Sequence, residues 1–340
     1  MPKTLAIVQI GRGQVGSRLA AQVAAARADV IEEWGVDLRQ AMVAGRDDGP
    51  DPGAILERAA RTTAPPRLFV DATAAEGMAP VHRQALLAGF HVVTCNKKPL
   101  AGPLADYDAI RSAARTSGRY YLFEVTVGAG LPVIATLSGL RDTGDRVETI
   151  EGCFSGTLNF LCAALDAGQP FSEALRAARD RGFTEPDPRD DLDGQDVARK
   201  AIILARAAGL PVENADAIRE PFVPVDRAED CERFLRRAGD HDGALRERVR
   251  AAASRGLRLR YVARVAPGEG CRAGLAEVPA DGPLGRLAGP ENVFVFTTGR
   301  YHHHPLVVSG PGAGPEVTAA GAFADLMTVV RAVARGGNDA

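Results

Sequence analysis

A lysine at the end of an acidic run holds the clearest chemical potential in this chain. From Glu185 to Lys200 the sequence reads E-P-D-P-R-D-D-L-D-G-Q-D-V-A-R-K, with six acidic residues and two prolines. Helix periodicity extends from Asp193 to Ala208, with Gly209 and Pro211 as stop signals. Asp190, Asp191 and Asp193 are candidate N-caps, because a short carboxylate accepts the orphan amides of a first turn. On that helix the three-, four- and seven-residue neighbours of Lys200 are Asp196, Val197, Ile203, Leu204 and Ala207. Only Asp196 among them is polar. Lysines are almost never buried unless paired. An ammonium held beside one carboxylate has a tunable proton, which suits acid–base catalysis. The competing meaning is a solvated acidic loop and a lysine that snorkels to water. The rest of the chain shifts that balance.

Elements able to position such groups begin at the N-terminus. Residues 4–10, T-L-A-I-V-Q-I, form an apolar run of the sort that fills a buried parallel strand. G-R-G-Q-V-G follows, and then a helix-like segment from Gln14 to about Ala28. A lone G-x-G-x-x-G is weak. One that ends a strand and opens a helix is stronger, because backbone amides and the helix dipole then face a pyrophosphate. Gly11, Gly13, Gln14, Val15 and Gly16 are therefore candidate dinucleotide contacts, against the alternative of a tight turn with no ligand. Leu38–Ala44 reads as the second strand and runs into Gly45-Arg46-Asp47-Asp48. An acidic residue there holds a ribose 2′-hydroxyl, whereas an arginine accommodates a 2′-phosphate. Arg46 comes first and favours NADP(H); Asp47 and Asp48 leave NAD(H) open. Strands over Arg67–Ala72 and Phe90–Cys95 end at Thr73 and at Asn96-Lys97-Lys98-Pro99. Ligands of open α/β sheets sit beyond the carboxyl ends of strands. Topology therefore places Thr73 and Lys97 near the cofactor, although either alone could be an ordinary loop residue.

Tyr120–Gly130, Y-Y-L-F-E-V-T-V-G-A-G, predicts a strand ending in a glycine turn with one carboxylate, Glu124. A carboxylate with clustered backbone carbonyls is a hard-oxygen cation site; a plain crossover between domains is the commoner meaning. Beyond Pro132 the pattern is α+β. Strands are expected at Val147–Phe154, Asn292–Thr298 and Pro305–Ser309, and helices at Gly156–Ala167 and Ser172–Gly182. Gly256–Val265 and Cys271–Val278 predict a strand pair around P-G-E-G. The turn G-P-G-A-G-P, Gly310–Pro315, opens a last helix from Glu316 to about Ala334. The basic stretch Arg246–Arg260 reads as the outer face of a helix followed by a strand. His302, His303 and His304 are adjacent and cannot all point one way, so they read as a polar loop and not a metal site.

Composition bounds the function. A chain of 340 residues has room for two domains with substantial cores. Its 46% hydrophobic and 25% charged residues are ordinary for a soluble globular protein. A formal charge of −2 gives no bulk attraction to nucleic acid or anionic membrane. Five scattered cysteines form no C-x-x-C pair and read as reduced thiols, mostly buried. The N-terminus lacks the apolar core of a signal peptide. No apolar run is expected to reach membrane-spanning length, and a cytoplasmic protein is expected.

Taken in order, V-T-C-N-K-K, E-V-T-V-G-A-G-L-P, F-S-G-T-L-N-F, the Glu185–Lys200 run and G-P-G-A-G-P-E-V-T-A-A-G identify the chain as resembling the homoserine dehydrogenases over nearly its whole length. The texture is similar to the dehydrogenase half of fused aspartate kinase–homoserine dehydrogenases. Neither a kinase nor an ACT domain is expected around it, and so no threonine inhibition. The resemblance implies an α/β fold: a Rossmann domain (1–130), an α+β mixed-sheet domain for catalysis and dimerisation (131–309), and a C-terminal helix (310–340) returning to the first domain. It implies NAD(P)H-dependent, reversible reduction of L-aspartate 4-semialdehyde to L-homoserine by a homodimer or dimer of dimers, with no nucleic-acid or membrane partner.

Residue roles follow from the same resemblance. Lys200 resembles the catalytic lysine that donates and accepts the proton, and Lys97 a second active-site lysine that also borders the nicotinamide. Glu185 and Asp196 resemble the homoserine-binding carboxylates, with Asp191 orienting them. Gly156 and Thr157 resemble the turn beside the substrate, and Gly314 a cofactor contact. Glu124 with the carbonyls of Val127, Ala129 and Leu131 resembles a sodium or potassium site. One departure is Phe183, where relatives often have tyrosine; a substrate contact through that hydroxyl is absent. The competing functions are another amino-acid-aldehyde dehydrogenase, with no reason to share the Glu185–Lys200 run, and a non-catalytic NADP(H) sensor, which could dispense with both lysines.

Overall fold

In a computed structural model, which describes residues 1–45 and 51–336, the chain forms two compact units. The first comprises residues up to Leu131 together with those from Ala313 onward. Its elements are β1 (Lys3–Ile10), α1 (Gln14–Trp34), β2 (Val36–Ala44), α2 (Pro52–Thr62), β3 (Arg67–Asp71), α3 (Met78–Leu87), β4 (Phe90–Thr94), α4 (Lys98–Ala101), α5 (Leu104–Ser117), β5 (Tyr121–Leu122), α6 (Val125–Gly128) and the chain's last helix, α14 (Pro315–Ala334). The five strands pair in parallel in the order β2-β1-β3-β4-β5. β1, β3 and β4 read as continuous apolar runs because both faces of a parallel sheet are covered.

α1 runs past its expected end at Ala28 to Trp34. Val23 and Val30 keep its buried stripe going, and Gly35 stops it in the left-handed region at φ 65°. The strand expected from Tyr120 is cut to Tyr121–Leu122, and the glycine turn after it is the helical turn α6. α14 is long and apolar enough, with mean hydropathy 1.5, to cross a membrane by composition, contrary to the expectation that no run would be. Here it packs along α1 instead. Ala319, Ala322, Leu326, Val329, Val330 and Val333 join Leu5, Ile7, Leu19 and Leu68 in one core.

The second unit, Pro132–Gly312, holds α7 (Val133–Asp142), β6 (Val147–Cys153), α8 (Gly156–Asp166), α9 (Phe171–Asp180), α10 (Arg189–Leu192), α11 (Gln195–Ala207), β7 (Ile218–Arg219), α12 (Cys231–Arg237), α13 (Asp242–Ala253), β8 (Leu257–Ala266), β9 (Gly270–Pro279), β10 (Asn292–Thr298) and β11 (Leu306–Gly310). Its six-stranded sheet has the order β11-β10-β6-β8-β9-β7, antiparallel except for the β7–β9 pair. The β8–β9 hairpin forms where the P-G-E-G turn predicts it.

Arg260 departs from the outer-face expectation. It is 1% exposed, and its guanidinium bonds Asp166 (2.7 Å) and the carbonyls of Leu259, Leu284, Gly285 and Leu287. A planar fork with five donors can be satisfied inside a core in a way a lysine cannot. The cysteines are free, with Cys153, Cys162 and Cys271 buried. Burial pushes the thiols of Cys162 and Cys271 up to about 12, which leaves them inert.

Candidate active site

In the first unit the glycine turn after β1 has three distinct requirements. Gly11 sits at φ 104°, and a Cβ there would lie 2.5 Å from the Ala72 carbonyl oxygen. A Cβ on Gly16 would lie 2.1 Å from the Gly11 carbonyl, so only glycine lets α1 approach β1 this closely. A Cβ on Gly13 would meet nothing within 4 Å. Gly13 is also the N-cap of α1 and offers no side-chain cap to the amides that Gln14 and Val15 begin. An uncapped helix start over open space fits a pyrophosphate. Gln9, 2% exposed within the strand, braces the turn through Nε2 to the carbonyls of Gly11 and Gly16, each at 2.9 Å. Gly314 is the N-cap of α14, and its carbonyl accepts from Thr318 N–H and Oγ1–H. Arg46 lies outside the described residues.

At the carboxyl end of β3, Thr73 gives its N–H and its hydroxyl to Asp71 Oδ1, at 2.9 and 2.6 Å. Lys97 is the half-buried N-cap residue of α4, one residue after the buried Asn96.

The α6 turn holds Glu124, 9% exposed. Its own hydrogen bonds run to the carbonyls of Phe123, Glu124 and Gly128. These are not the three carbonyls, of Val127, Ala129 and Leu131, that the resemblance assigns to a cation. Ala129 takes φ 51°, a rare conformation for a non-glycine residue and one that collects at functional turns. Asp325 Oδ2 accepts from Glu124 N–H at 3.0 Å. Burial, together with the Glu124 charge and against that hydrogen bond, pushes the Asp325 carboxyl up to about 7.

In the second unit the acidic run divides into two sets. Arg189 holds Asp187 at 2.6 Å, and that hydrogen bond pulls the Asp187 carboxyl down to about 2. Arg227 holds Asp190 and Asp193 at 2.6 and 2.7 Å, and Arg219 lies 3.3 Å from Asp193. The other three acids face different groups. Asp196 Oδ2 is 2.9 Å from Lys200 Nζ, one helical turn away. Asp191 Oδ2 accepts from the Glu185 N–H at 2.8 Å, and Oδ1 lies 2.9 Å from Thr157 Oγ1. Thr157 Oγ1 is also 2.5 Å from the Phe183 carbonyl. A hydroxyl has one proton. If it goes to that carbonyl, the Asp191 contact is satisfied when Asp191 is itself protonated. Burial indeed raises the Asp191 carboxyl to about 6, with the charges of Glu185 and Asp196 adding to it and the two hydrogen bonds opposing.

The N-cap expectation is corrected here. The N-cap of α11 is Gly194 at φ 72°, without a side-chain cap. Asp193 serves the next amide, accepting from Gln195 N–H at 2.8 Å, while Asp190 and Asp191 are used elsewhere. Lys200 is 8% exposed, as its apolar neighbours predict. Its ammonium donates to the Phe154 carbonyl at 2.7 Å, and Asn292 Nδ2 shares that carbonyl at 3.2 Å. Ser155 caps α8, with its Oγ accepting from Leu158 N–H, and so fixes Gly156 and Thr157 at the start of that helix. A charge-paired, desolvated ammonium one helical turn from its carboxylate partner is equipped for proton transfer.

The family model described as homoserine dehydrogenase matches residues 132–327, and the homoserine dehydrogenase NAD-binding model matches residues 11–124. The chain belongs to the homoserine dehydrogenase family. It is 40% identical over 276 residues to a homoserine dehydrogenase of Emericella nidulans, covering 77% of this chain and 75% of that one. It is 39% identical to the chloroplastic bifunctional aspartokinase/homoserine dehydrogenase 2 of Arabidopsis thaliana over 95% of this chain, yet spans only 38% of that relative's length. Among solved structures, a homoserine dehydrogenase from Thiobacillus denitrificans superposes with TM-score 0.80 at 26% identity, covering 98% of this chain and 74% of that one. The family is one of NAD(P)-dependent oxidoreductases.

Sequence reasoning missed several residues that serve this homoserine dehydrogenase fold. Gln9 and Asp71 each interrupt an apolar strand, a visible signal that a polar side chain has buried partners. Asn292, Arg219, Arg227 and Asp325 carry no such local mark, since their partners lie 20 or more residues away.

Proposed function

We propose that this chain interconverts L-aspartate 4-semialdehyde and L-homoserine with a nicotinamide cofactor, serving threonine and methionine synthesis. The observation that carries the proposal is the desolvated Lys200 ammonium, held by Asp196 and the Phe154 carbonyl. The cofactor supplies the hydride. The chain must hold the substrate and manage one proton. In reduction, negative charge develops on the carbonyl oxygen; Lys200 stabilises it and donates the proton, and in oxidation it takes the proton back. Asp196, 2.9 Å from that ammonium, orients it. Glu185, Asp191 and Asp196 hold the substrate's α-ammonium, with Gly156 and Thr157 bordering it, and Lys97 serves as the second active-site lysine. Gly11, Gly13, Gln14, Val15, Gly16, Thr73 and Gly314 receive the cofactor. We also infer a cytoplasmic homodimer.

Purified protein given aspartate semialdehyde is expected to oxidise NADPH, and NADH more slowly, as read from nicotinamide absorbance. Arg46→Ala is expected to raise KM for NADPH much more than for NADH; equal changes would remove the arginine from cofactor choice. Absence of any oxidation with either cofactor would overturn the reaction itself.

Asp191 gives a pH signature. Below about pH 6 its carboxyl is neutral and loses its attraction for an ammonium. KM for homoserine is therefore expected to rise as pH falls from about 7 to about 5, the window around that value. The stability sign is opposite. A raised native pKa means that the folded state binds more protons than the unfolded state, so this stabilisation exists at low pH and is lost as pH rises through about 6. Asp191→Asn mimics the protonated form: it should remain folded, with a higher KM that no longer varies across the window. An unchanged KM profile would exclude Asp191 from substrate binding.

Sodium or potassium is proposed at Glu124 with the carbonyls of Val127, Ala129 and Leu131. Its role is to fix the α6 turn. Thermal stability should fall in cation-free buffer and recover with either ion, and Glu124→Gln should abolish that recovery. Equal melting temperatures with and without the ions would remove it.

A further inference from the structure

We propose that Asp71 is a positioning residue that fixes the loops after β3 and β4 relative to one another, and so sets the geometry of Thr73 and Lys97. The inference rests on the assignment of those two residues to cofactor and substrate. Asp71 ends β3 and is fully buried. Its Oδ1 accepts both the N–H and the hydroxyl of Thr73, at 2.9 and 2.6 Å. Its Oδ2 accepts from Asn96 Nδ2 at 3.1 Å and lies 3.0 Å from His82 Nε2. Its main-chain carbonyl accepts from Cys95 N–H at 2.8 Å. Asn96 passes the constraint on: Nδ2 also donates to the Ala75 carbonyl at 2.9 Å, and Oδ1 accepts from Lys98 N–H at 3.1 Å. One carboxylate thus holds Thr73 directly and, through a single amide, the backbone on both sides of Lys97.

A strand end that only needed filling would be apolar, since burying a carboxylate is costly unless its oxygens are fully engaged. Here Thr73 and Asn96 donate, His82 donates in the tautomer that carries its proton on Nε2, and the contacts fall into two halves. Thr73 and Asn96 form the loop half. His82 forms the core half: with its Nε2–H directed at Asp71, Nδ1 accepts from the Tyr121 hydroxyl at 3.0 Å. The halves can be cut separately.

Asp71→Asn keeps the shape, but its amide N–H must face either Thr73 or Asn96, both of which are donors. We expect kcat to fall about 10- to 100-fold, as for a reactive group displaced by a fraction of an ångström to an ångström. NADPH affinity, read by fluorescence titration without turnover, should weaken in parallel. Tyr121→Phe cuts only the core half; it should lower Tm while kcat and NADPH affinity stay within about twofold. Should Asp71→Asn fail to fold, Asn96→Ser, which leaves the carboxylate in place, should reproduce the loss of kcat and of NADPH affinity. The proposal is overturned if folded Asp71→Asn or Asn96→Ser lowers Tm alone, or if Tyr121→Phe lowers kcat equally. If the unmodified protein binds NADPH but turns over no homoserine, the reaction assignment fails, while the NADPH titrations still decide the role of Asp71.

Discussion

Lys200→Ala is expected to cut homoserine turnover about 10²–10⁴-fold, the usual effect of removing a general acid–base group. The fold should survive, for reasons visible around the side chain. Alanine is the best helix former, so α11 loses nothing locally. The Phe154 carbonyl, buried beneath the ammonium, keeps a donor in Asn292 Nδ2. Asp196 is 48% exposed and can hydrate once its partner is gone. Neither of these two partners is left buried and unsatisfied, which is the usual source of large losses. The cofactor turn lies in the first unit, so NADPH affinity should be unchanged. Turnover, Tm and NADPH titration on one preparation check all three. Near-normal turnover in a folded variant would remove Lys200 from catalysis.

Gly194→Ala is expected to give the largest loss of stability among substitutions near the candidate site. The new Cβ would lie 1.8 Å from the Tyr261 hydroxyl oxygen and 2.8 Å from Cζ, at a backbone φ of 72°. Tyr261 cannot yield easily. It is 1% exposed, stacks on Phe222, and donates its hydroxyl to the Glu220 carbonyl at 2.6 Å. Overpacking of this kind costs roughly 1–3 kcal/mol, and the left-handed backbone adds about 1 kcal/mol more. A melting temperature lower by several degrees is expected. Because Gly194 heads the helix that carries Asp196 and Lys200, turnover should fall as well. Combining Gly194→Ala with Tyr261→Phe removes the closest atom and should recover part of the Tm. No drop in the single variant, or no recovery in the pair, would mean that the helix start adjusts freely.

Much of the architecture was legible because it rests on local rules. Apolar runs marked β1, β3 and β4, glycines marked the turn that opens α1, and the P-G-E-G turn marked the β8–β9 pair. The burial of Lys200 could be read from neighbours on the same helix. What escaped depends on partners distant in sequence. Asp190 and Asp193 look like helix caps until Arg227 is found beside them. Arg260 looks like a surface charge until Asp166 and the Leu284–Leu287 carbonyls surround it. The strand expected after Tyr120 stops early because α6 begins there, and nothing in its alternation signals that. Periodicity reports which way a side chain faces, not what waits for it.

α14 has a consequence for the order of events during synthesis. It follows every described strand in the chain, yet it supplies six core residues to a unit whose strands all precede Pro132. Until α14 has been made, Leu5, Leu19 and Val125 lack neighbours that complete their core. The unit from Pro132 to Gly312 has all of its strands beforehand. Of the two units, the nucleotide fold is therefore the later to complete its core.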